Sequence, residues 1–157
     1  LGTQLVVVSD AHLGAAAPDD ADPFLDFLAK VPSLGDCLLI NGDLFDFWFA
    51  YRRVVPRRSF QVAGALALLR RKIPIVMTGG NHDRWGDSFW ETDTGITFSS
   101  GELRFAVGDC PVLAIHGDGL LEERRAAAVL HRVTRHPLTA AVIALSTLIS
   151  GSGWWTG

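Results

Sequence analysis

Residue types that bind metals follow four apolar runs of this 157-residue chain. Each run ends on carboxylate, imidazole or amide side chains. The four endings are Asp10-Ala11-His12, Asn41-Gly42-Asp43, Gly79-Gly80-Asn81-His82-Asp83 and His116-Gly117-Asp118. Open α/β sheets bind ligands at the carboxyl ends of their strands, so the four endings are expected to converge. Oxygen and imidazole ligands without a thiolate suit a two-metal hydrolytic centre.

The first two endings offer ligands for a shared pair of cations. Asp10 and His12 are two residues apart at a strand end, so both side chains can point to one side and reach one metal. Gly42 permits a tight turn and a close approach before Asp43. A carboxylate at Asp43 can bridge two cations, although a β-turn aspartate is the alternative for this motif taken alone.

The last two endings add an amide, two imidazoles and a carboxylate. Asn81 can offer its carbonyl oxygen to a metal. His82 can protonate a leaving oxygen, and Asp83 is predicted to accept a hydrogen bond from the other ring nitrogen of His82 and so set its tautomer. His116 follows an apolar run in the same way and is predicted to be a further metal ligand.

The elements that would position these residues can be read from the apolar pattern. Buried strands are predicted first, and then short strands separated by turns; they are Leu5–Ser9, Cys37–Ile40, Pro74–Thr78, Thr97–Ser99, Leu103–Val107 and Val112–Ile115. Helical spacing predicts four helices, which are Asp22–Ala29, Phe60–Arg71, Leu120–Arg135 and Leu138–Ile149. The order β-α-β-α-β favours a parallel sheet with helical crossovers, to which the later strands add hairpins at 100–102 and 108–109.

Composition limits the classes of protein that this chain can represent. Hydrophobic residues make up 48% of the chain and charged residues 20%, so we expect a globular domain rather than a disordered segment. The net charge of −3 argues against non-specific binding to double-stranded nucleic acid. Two cysteines without CxxC spacing indicate packed thiols in a reducing compartment. No secretory signal is recognisable, so a cytoplasmic location is expected.

Taken together, the four motifs resemble the calcineurin-like metallophosphoesterases over roughly 5–118. The resemblance implies an α/β fold of the metallophosphoesterase sandwich type, with a catalytic domain at 1–119 and a helical, cap-like segment at 120–157. It also implies that Asp10 and His12 hold one metal, that Asn81 and His116 hold the other, and that Asp43 bridges them. His82 and Asp83 would be catalytic. The implied reaction is in-line attack on phosphorus by a hydroxide between two divalent ions, with Mn²⁺ favoured and Fe or Zn²⁺ also compatible.

Finer features resemble the UDP-2,3-diacylglucosamine diphosphatase branch of this family. The matching stretches are Gly42–Trp48 and His116–Leu120, the latter followed by a basic helix and His136-Pro137-Leu138. A lipid-linked phosphoester substrate and contact with the inner membrane face follow from this resemblance. The residues expected to bind that substrate are Arg52, Arg53, Arg57, Arg58 and Trp48. A solvated, proline-interrupted loop is the alternative for the four arginines. Some members of the branch carry Arg where this chain has His82.

One family motif, a final Gly-His-x-His, does not occur after His116. The expectation from the sequence is therefore a chain that lacks its C-terminal strands. Two other classes of protein are compatible with this sequence. The chain could be a non-catalytic scaffold that keeps the phosphoesterase fold, or a module that binds a single metal; the metal content of the protein distinguishes them.

Overall fold

The computed structural model describes residues 1–15, 21–49, 55–86 and 88–117, with the side chain of Arg58 left out. The chain divides into two compact units, Leu1–His116 and Gly117–Gly157. All described residues except Gly117 belong to the first unit. The predicted helices at 120–135 and 138–149 lie outside the described residues, and the predicted boundary at 119/120 remains a prediction.

Four parallel strands form the central sheet, in the order β1-β2-β3-β4. The strands are β1 (Leu5–Val8), β2 (Cys37–Asn41), β3 (Ile75–Thr78) and β4 (Thr97–Ser99). The crossovers carry helices α1 (Ala21–Leu34), α2 (Phe60–Arg70) and α3 (Phe89–Thr92), and a short 3-10 turn at Arg57–Ser59 precedes α2. The predicted α/β class with a parallel core is confirmed.

Alternating side chains of the inner strands bury both faces of the sheet. Leu38 and Ile40 of β2 belong to the larger core, together with residues of α1 and α2. Leu39, between them, belongs to a second cluster with Ala114, which lies at the end of a hairpin. That hairpin consists of antiparallel strands β5 (Leu103–Val107) and β6 (Cys110–Ala114). A two-residue period in a strand buried on both faces explains the continuous apolar run.

The structure corrects the hairpin prediction at one of its two turns. The turn at 108–109 joins antiparallel β5 and β6 as expected. The turn at 100–102 does not make a hairpin, because β4 pairs parallel to β3 and β5 belongs to a different sheet. The four-residue helix α3 buries Trp90 and reverses the chain before β4. Helical periodicity cannot be recognised over four residues, so this crossover was missed.

The bounds of two helices also differ from the prediction, α2 only by ending at Arg70 rather than Arg71 and α1 by more. Helix α1 continues to Leu34, with Val31 fully buried and Pro32 inside the last turn. The sequence prediction ended this helix at Ala29. Among the described residues, no helix combines the length and the apolar character needed to cross a membrane.

Candidate metal centre

The loop after β1 brings Asp10 and His12 to the end of the neighbouring strand. The amide of Asp10 donates to the Gly42 carbonyl at 3.1 Å, and that of His12 donates to the Asp43 carbonyl at 3.0 Å. Asp10 and His12 both have positive φ angles, 53° and 45°. Left-handed backbone at a residue other than glycine costs free energy and persists where surrounding contacts determine it, which is typical of functional sites. Here the contacts to the adjacent loop supply that constraint.

Asp43 lies at the centre of the site, and its carboxylate is almost fully buried. It follows Gly42 (φ 81°) and itself has a φ of 50°. Its Oδ1 accepts a hydrogen bond from the His82 amide at 3.0 Å. Its Oδ2 lies 3.8 Å from His12 Nε2 and 3.2 Å from His116 Nε2. One oxygen is therefore held by the protein backbone, whereas the other faces two imidazoles.

The tautomer of His116 makes this arrangement fit a cation. His116 Nδ1 lies 2.9 Å from the backbone carbonyl oxygen of Asn41. A carbonyl oxygen can only accept, so Nδ1 carries the hydrogen and Nε2 of the neutral ring presents a lone pair. In that form the Nε2 lone pair faces Asp43 Oδ2 at 3.2 Å, and either a cation between the two atoms or a proton on Nε2 would join them. A second partner that orients the other ring nitrogen is usual for histidines that bind metals.

Two groups of side chains within the described residues have the geometry of a cation site. The ligand atoms of Asp10, His12 and Asp43 lie within 4.8 Å of one another, and so do those of His12, Asp46 and His82. Asp46 was not singled out from the sequence. An acidic residue three positions after Asp43 was the available signal, but a loop aspartate is common. Its carboxylate lies 3.9 Å from His12 Nδ1 and 3.7 Å from His82 Nδ1.

The partner of the His82 ring differs from the one predicted. His82 Nδ1 lies 2.6 Å from the backbone oxygen of Asp46, which must accept, so Nε2 is the nitrogen left to exchange a proton. The ring also lies edge-on to that of His12, with centroids 4.9 Å apart. The backbone carbonyl of His82 accepts from the Trp48 amide at 3.1 Å, which ties this loop to the one after β2.

The sequence suggested Asp83 as the residue that orients the His82 ring. The structure shows that Asp83 does not have this role. Its fully buried carboxylate accepts from backbone amides of Asp43, Leu44, Phe45 and Gly80. Burial raises the pKa of Asp83, while the amides of Gly80 and Leu44 act in the opposite direction. Four donors and no acceptor suit the carboxylate form. Asp83 binds the loops that carry the site.

Two of the remaining predicted residues, Asn81 and Trp48, have different surroundings in the structure. Asn81 is half-buried in the turn between Gly80 and His82, whose amides are both hydrogen-bonded to site carboxylates. Trp48 is fully buried and packs on Phe45, Phe89 and Trp90, with ring centroids 4.8–5.2 Å apart. It belongs to the core, which corrects its interpretation as a substrate contact.

The predicted basic cluster is described only in part. Arg57 is exposed at the start of the 3-10 turn. Arg52, Arg53 and the side chain of Arg58 lie outside the described residues. Their role in binding a phosphate remains a prediction.

This arrangement of strand-end carboxylates and imidazoles is typical of metallophosphoesterases. The family model for calcineurin-like phosphoesterases matches residues 3–155. The chain therefore belongs to the calcineurin-like phosphoesterase family, and the sequence-based assignment to it is confirmed.

Several curated relatives are named UDP-2,3-diacylglucosamine hydrolase. The protein of this name from Stutzerimonas stutzeri is 29% identical over 140 residues, which cover 88% of this chain and 58% of the relative. The one from Azotobacter vinelandii is 33% identical over 138 residues, which cover 85% and 56%. The chain thus spans somewhat more than half the length of these relatives. Among solved structures, the nuclease MPE of Pseudomonas putida aligns with 62% of this chain and 48% of its own, at 24% identity and a TM-score of 0.46.

Proposed function

We propose that this chain carries the metal centre of a hydrolase that cleaves phosphoester or pyrophosphate bonds with two divalent cations. The observation that carries the proposal is the position of Asp43 Oδ2, which faces both His12 Nε2 and His116 Nε2. A single carboxylate oxygen between two imidazoles can serve one cation on each side. Asp10 would complete the ligands on the His12 side, and Asn81 those on the His116 side.

Two cations bound here would activate a water molecule and neutralise charge that develops on phosphorus. The chain's own residues would do the remaining work. The Asp46 carbonyl holds the His82 ring through Nδ1, so Nε2 is available to donate a proton to the leaving oxygen. The edge-on contact with His12 keeps this ring beside the metal ligands.

Support for a particular substrate comes from the relatives' names and from the sequence. We propose a UDP-linked, acylated glucosamine that is cleaved at its pyrophosphate at the cytoplasmic membrane surface. Arg52, Arg53, Arg57 and Arg58 would bind the second phosphate. The apolar segment 138–149 and Trp154-Trp155, which lie outside the described residues, would hold the acyl chains. Each buried CH₂ adds about 0.8 kcal/mol to binding, so long acyl chains should bind far better than short ones.

The substrate proposal is tested with protein produced from the whole coding sequence. UDP-diacylglucosamine and its deacylated analogue are compared for kcat/KM in the presence of Mn²⁺. A much higher value for the acylated substrate supports the proposal. Equal values would exclude an acyl-binding segment and leave a phosphoesterase for another substrate.

The metal centre itself is tested with a matched pair of variants. Asp43→Ala should abolish hydrolysis of bis-p-nitrophenyl phosphate and weaken the binding of both ions. Asp109→Ala makes the same substitution at an exposed turn of the hairpin and should change neither. A wild-type protein that binds less than one tight Mn²⁺ would instead identify a non-catalytic scaffold.

A further inference from the structure

A buried carboxylate outside the predicted ligand set joins the two loops of the metal centre. Asp83 Oδ1 accepts from the amides of Gly80 at 2.9 Å and Asp43 at 3.2 Å. Its Oδ2 accepts from Leu44 at 2.7 Å and, more weakly, from Phe45 at 3.4 Å. Three successive amides of the β2 loop thus converge on one anion, as in the backbone nests that bind phosphate. In this protein the anion is supplied by the loop after β3.

We propose that Asp83 is a positioning residue that holds Asp43 in its ligand geometry before any metal binds. The inference rests on the proposed function, because it concerns the same metal centre. It assigns Asp83 a role through Asp43 and not through His82. The Asp83 carboxylate acts on Asp43 through a single hydrogen bond to the Asp43 backbone amide.

The contacts between Asp83 and Asp43 are reciprocal in a way that couples the loops. Asp83 binds the Asp43 amide, while Asp43 Oδ1 binds the His82 amide next to Asp83. Asp43 has a left-handed φ of 50°. An aspartate without surrounding constraints would return to a negative φ. Without the Asp83 carboxylate, the loop would relax and Oδ2 would leave its position between His12 and His116.

Asparagine cannot replace this carboxylate, although its shape is the same. Its single carbonyl oxygen can accept from one pair of amides only. Its NH₂ group would face the other pair, donor against donor. Asp83→Asn therefore removes the function of the carboxylate with the smallest change in volume.

The chain offers a matched control at the opposite end of β2. Asp36 also accepts from backbone amides, those of Thr3 and Gln4, but it precedes β2, whereas Asp43 follows it. Affinity for Mn²⁺ is measured by calorimetry for wild type, Asp83→Asn and Asp36→Asn, at a temperature where circular dichroism shows all three folded. Asp83→Asn should bind about 10- to 100-fold more weakly. Asp36→Asn should bind as wild type does.

The outcomes separate this inference from the proposed function. Equal Mn²⁺ affinity in Asp83→Asn and wild type overturns the role of Asp83 and leaves the metal centre intact. A wild type that binds no Mn²⁺ overturns the proposed function instead.

Hydrogen exchange on the metal-free wild type tests the inference independently, including the case in which Asp83→Asn does not fold. The amides of Asp43, Leu44 and Gly80 should be protected and should open with one common free energy, because one carboxylate holds them all. Exchange as fast as in an unstructured chain, or three unrelated opening energies, would overturn it.

Discussion

A single methyl group added at Gly80 should displace Asp43 and weaken metal binding. A Cβ at this position would lie 2.1 Å from Asp43 Oδ1 and 2.7 Å from the Asp43 amide nitrogen. Ordinary contact begins near 3.4 Å, so the carboxylate would have to move by about 1.3 Å. That oxygen is also fixed from another side by the His82 amide at 3.0 Å. A rotation of the Asp43 side chain would not relieve the contact with its backbone nitrogen.

The expected cost of Gly80→Ala is about 1–3 kcal/mol in the free energy of unfolding of the metal-free protein, the usual range for overpacking a buried site. Mn²⁺ binding should weaken as well, because a shift of this size removes Oδ2 from the two imidazoles. Urea unfolding followed by circular dichroism gives the first quantity, and calorimetry gives the second.

Gly64→Ala is the matched control for this substitution. Gly64 lies inside α2, and a Cβ there would have no heavy atom within 4 Å. Replacing a helical glycine with alanine should stabilise the protein by about 0.5–1 kcal/mol and leave metal affinity unchanged. If Gly80→Ala matched Gly64→Ala in both measurements, the close approach of Gly80 to Asp43 would not exist in solution and the reasoning would be wrong.

Three further substitutions test the roles assigned above. His82→Ala should lower kcat by about 10²–10⁴-fold with metal stoichiometry unchanged; loss of metal would make His82 a ligand. Trp48→Phe should lower the midpoint of urea unfolding but leave KM unchanged, and a large rise in KM would return Trp48 to the substrate site. The pKa of Asp36 is lowered from 3.8 to about 2, chiefly by the Gln4 amide. Its stabilisation is therefore complete above about pH 4 and is lost as the pH falls through 2, so Asp36→Asn should flatten the pH dependence of stability in that window; an unchanged acid profile would contradict this.

The sequence predicted the parallel sheet because its strongest signals are local. Continuous apolar runs such as Cys37–Ile40 cannot face solvent on either side, and the intervening segments have helical spacing. The same signals placed all four metal-ligand motifs at strand ends. What the sequence could not reveal was the pairing of β4, because α3 has only four residues and carries no recognisable period.

The partners of the site carboxylates were beyond the sequence for a different reason. Asp83 follows His82, and adjacency suggested that the two side chains interact. Adjacent residues in a tight turn point in different directions, however, and Asp83 turns inward to amides about 40 residues away in the chain, from Asp43 to Phe45. The Asp46 carbonyl that binds the His82 ring belongs to the backbone. Every residue has such a carbonyl, so the sequence could not identify this partner.

Trp48 shows how a sequence resemblance can mislead beside a candidate site. It ends the stretch Gly42–Trp48, which resembles the diphosphatase branch, and it was expected among the substrate-binding residues for that reason. Phe45 instead stacks on Trp48 and on Trp90, and the rings of Trp48 and Trp90 pack at a tilt. Large rigid rings beneath a loop restrict the positions that its backbone can take.

In three residues of the site, the two polar atoms of one side chain have different roles. Asp43 Oδ1 binds the backbone of the next loop, and Oδ2 faces His12 and His116, where it would bind cations in the proposed function. The Nδ1 atoms of His116 and His82 bind backbone carbonyls, and in the proposed function their Nε2 atoms would bind a metal and donate a proton, respectively. In each residue one polar atom fixes the geometry and the other is left for chemistry. A loop so fixed does not need to reorganise when a cation binds, which is why substitutions that spare every ligand, such as Gly80→Ala and Asp83→Asn, should still weaken the metal centre.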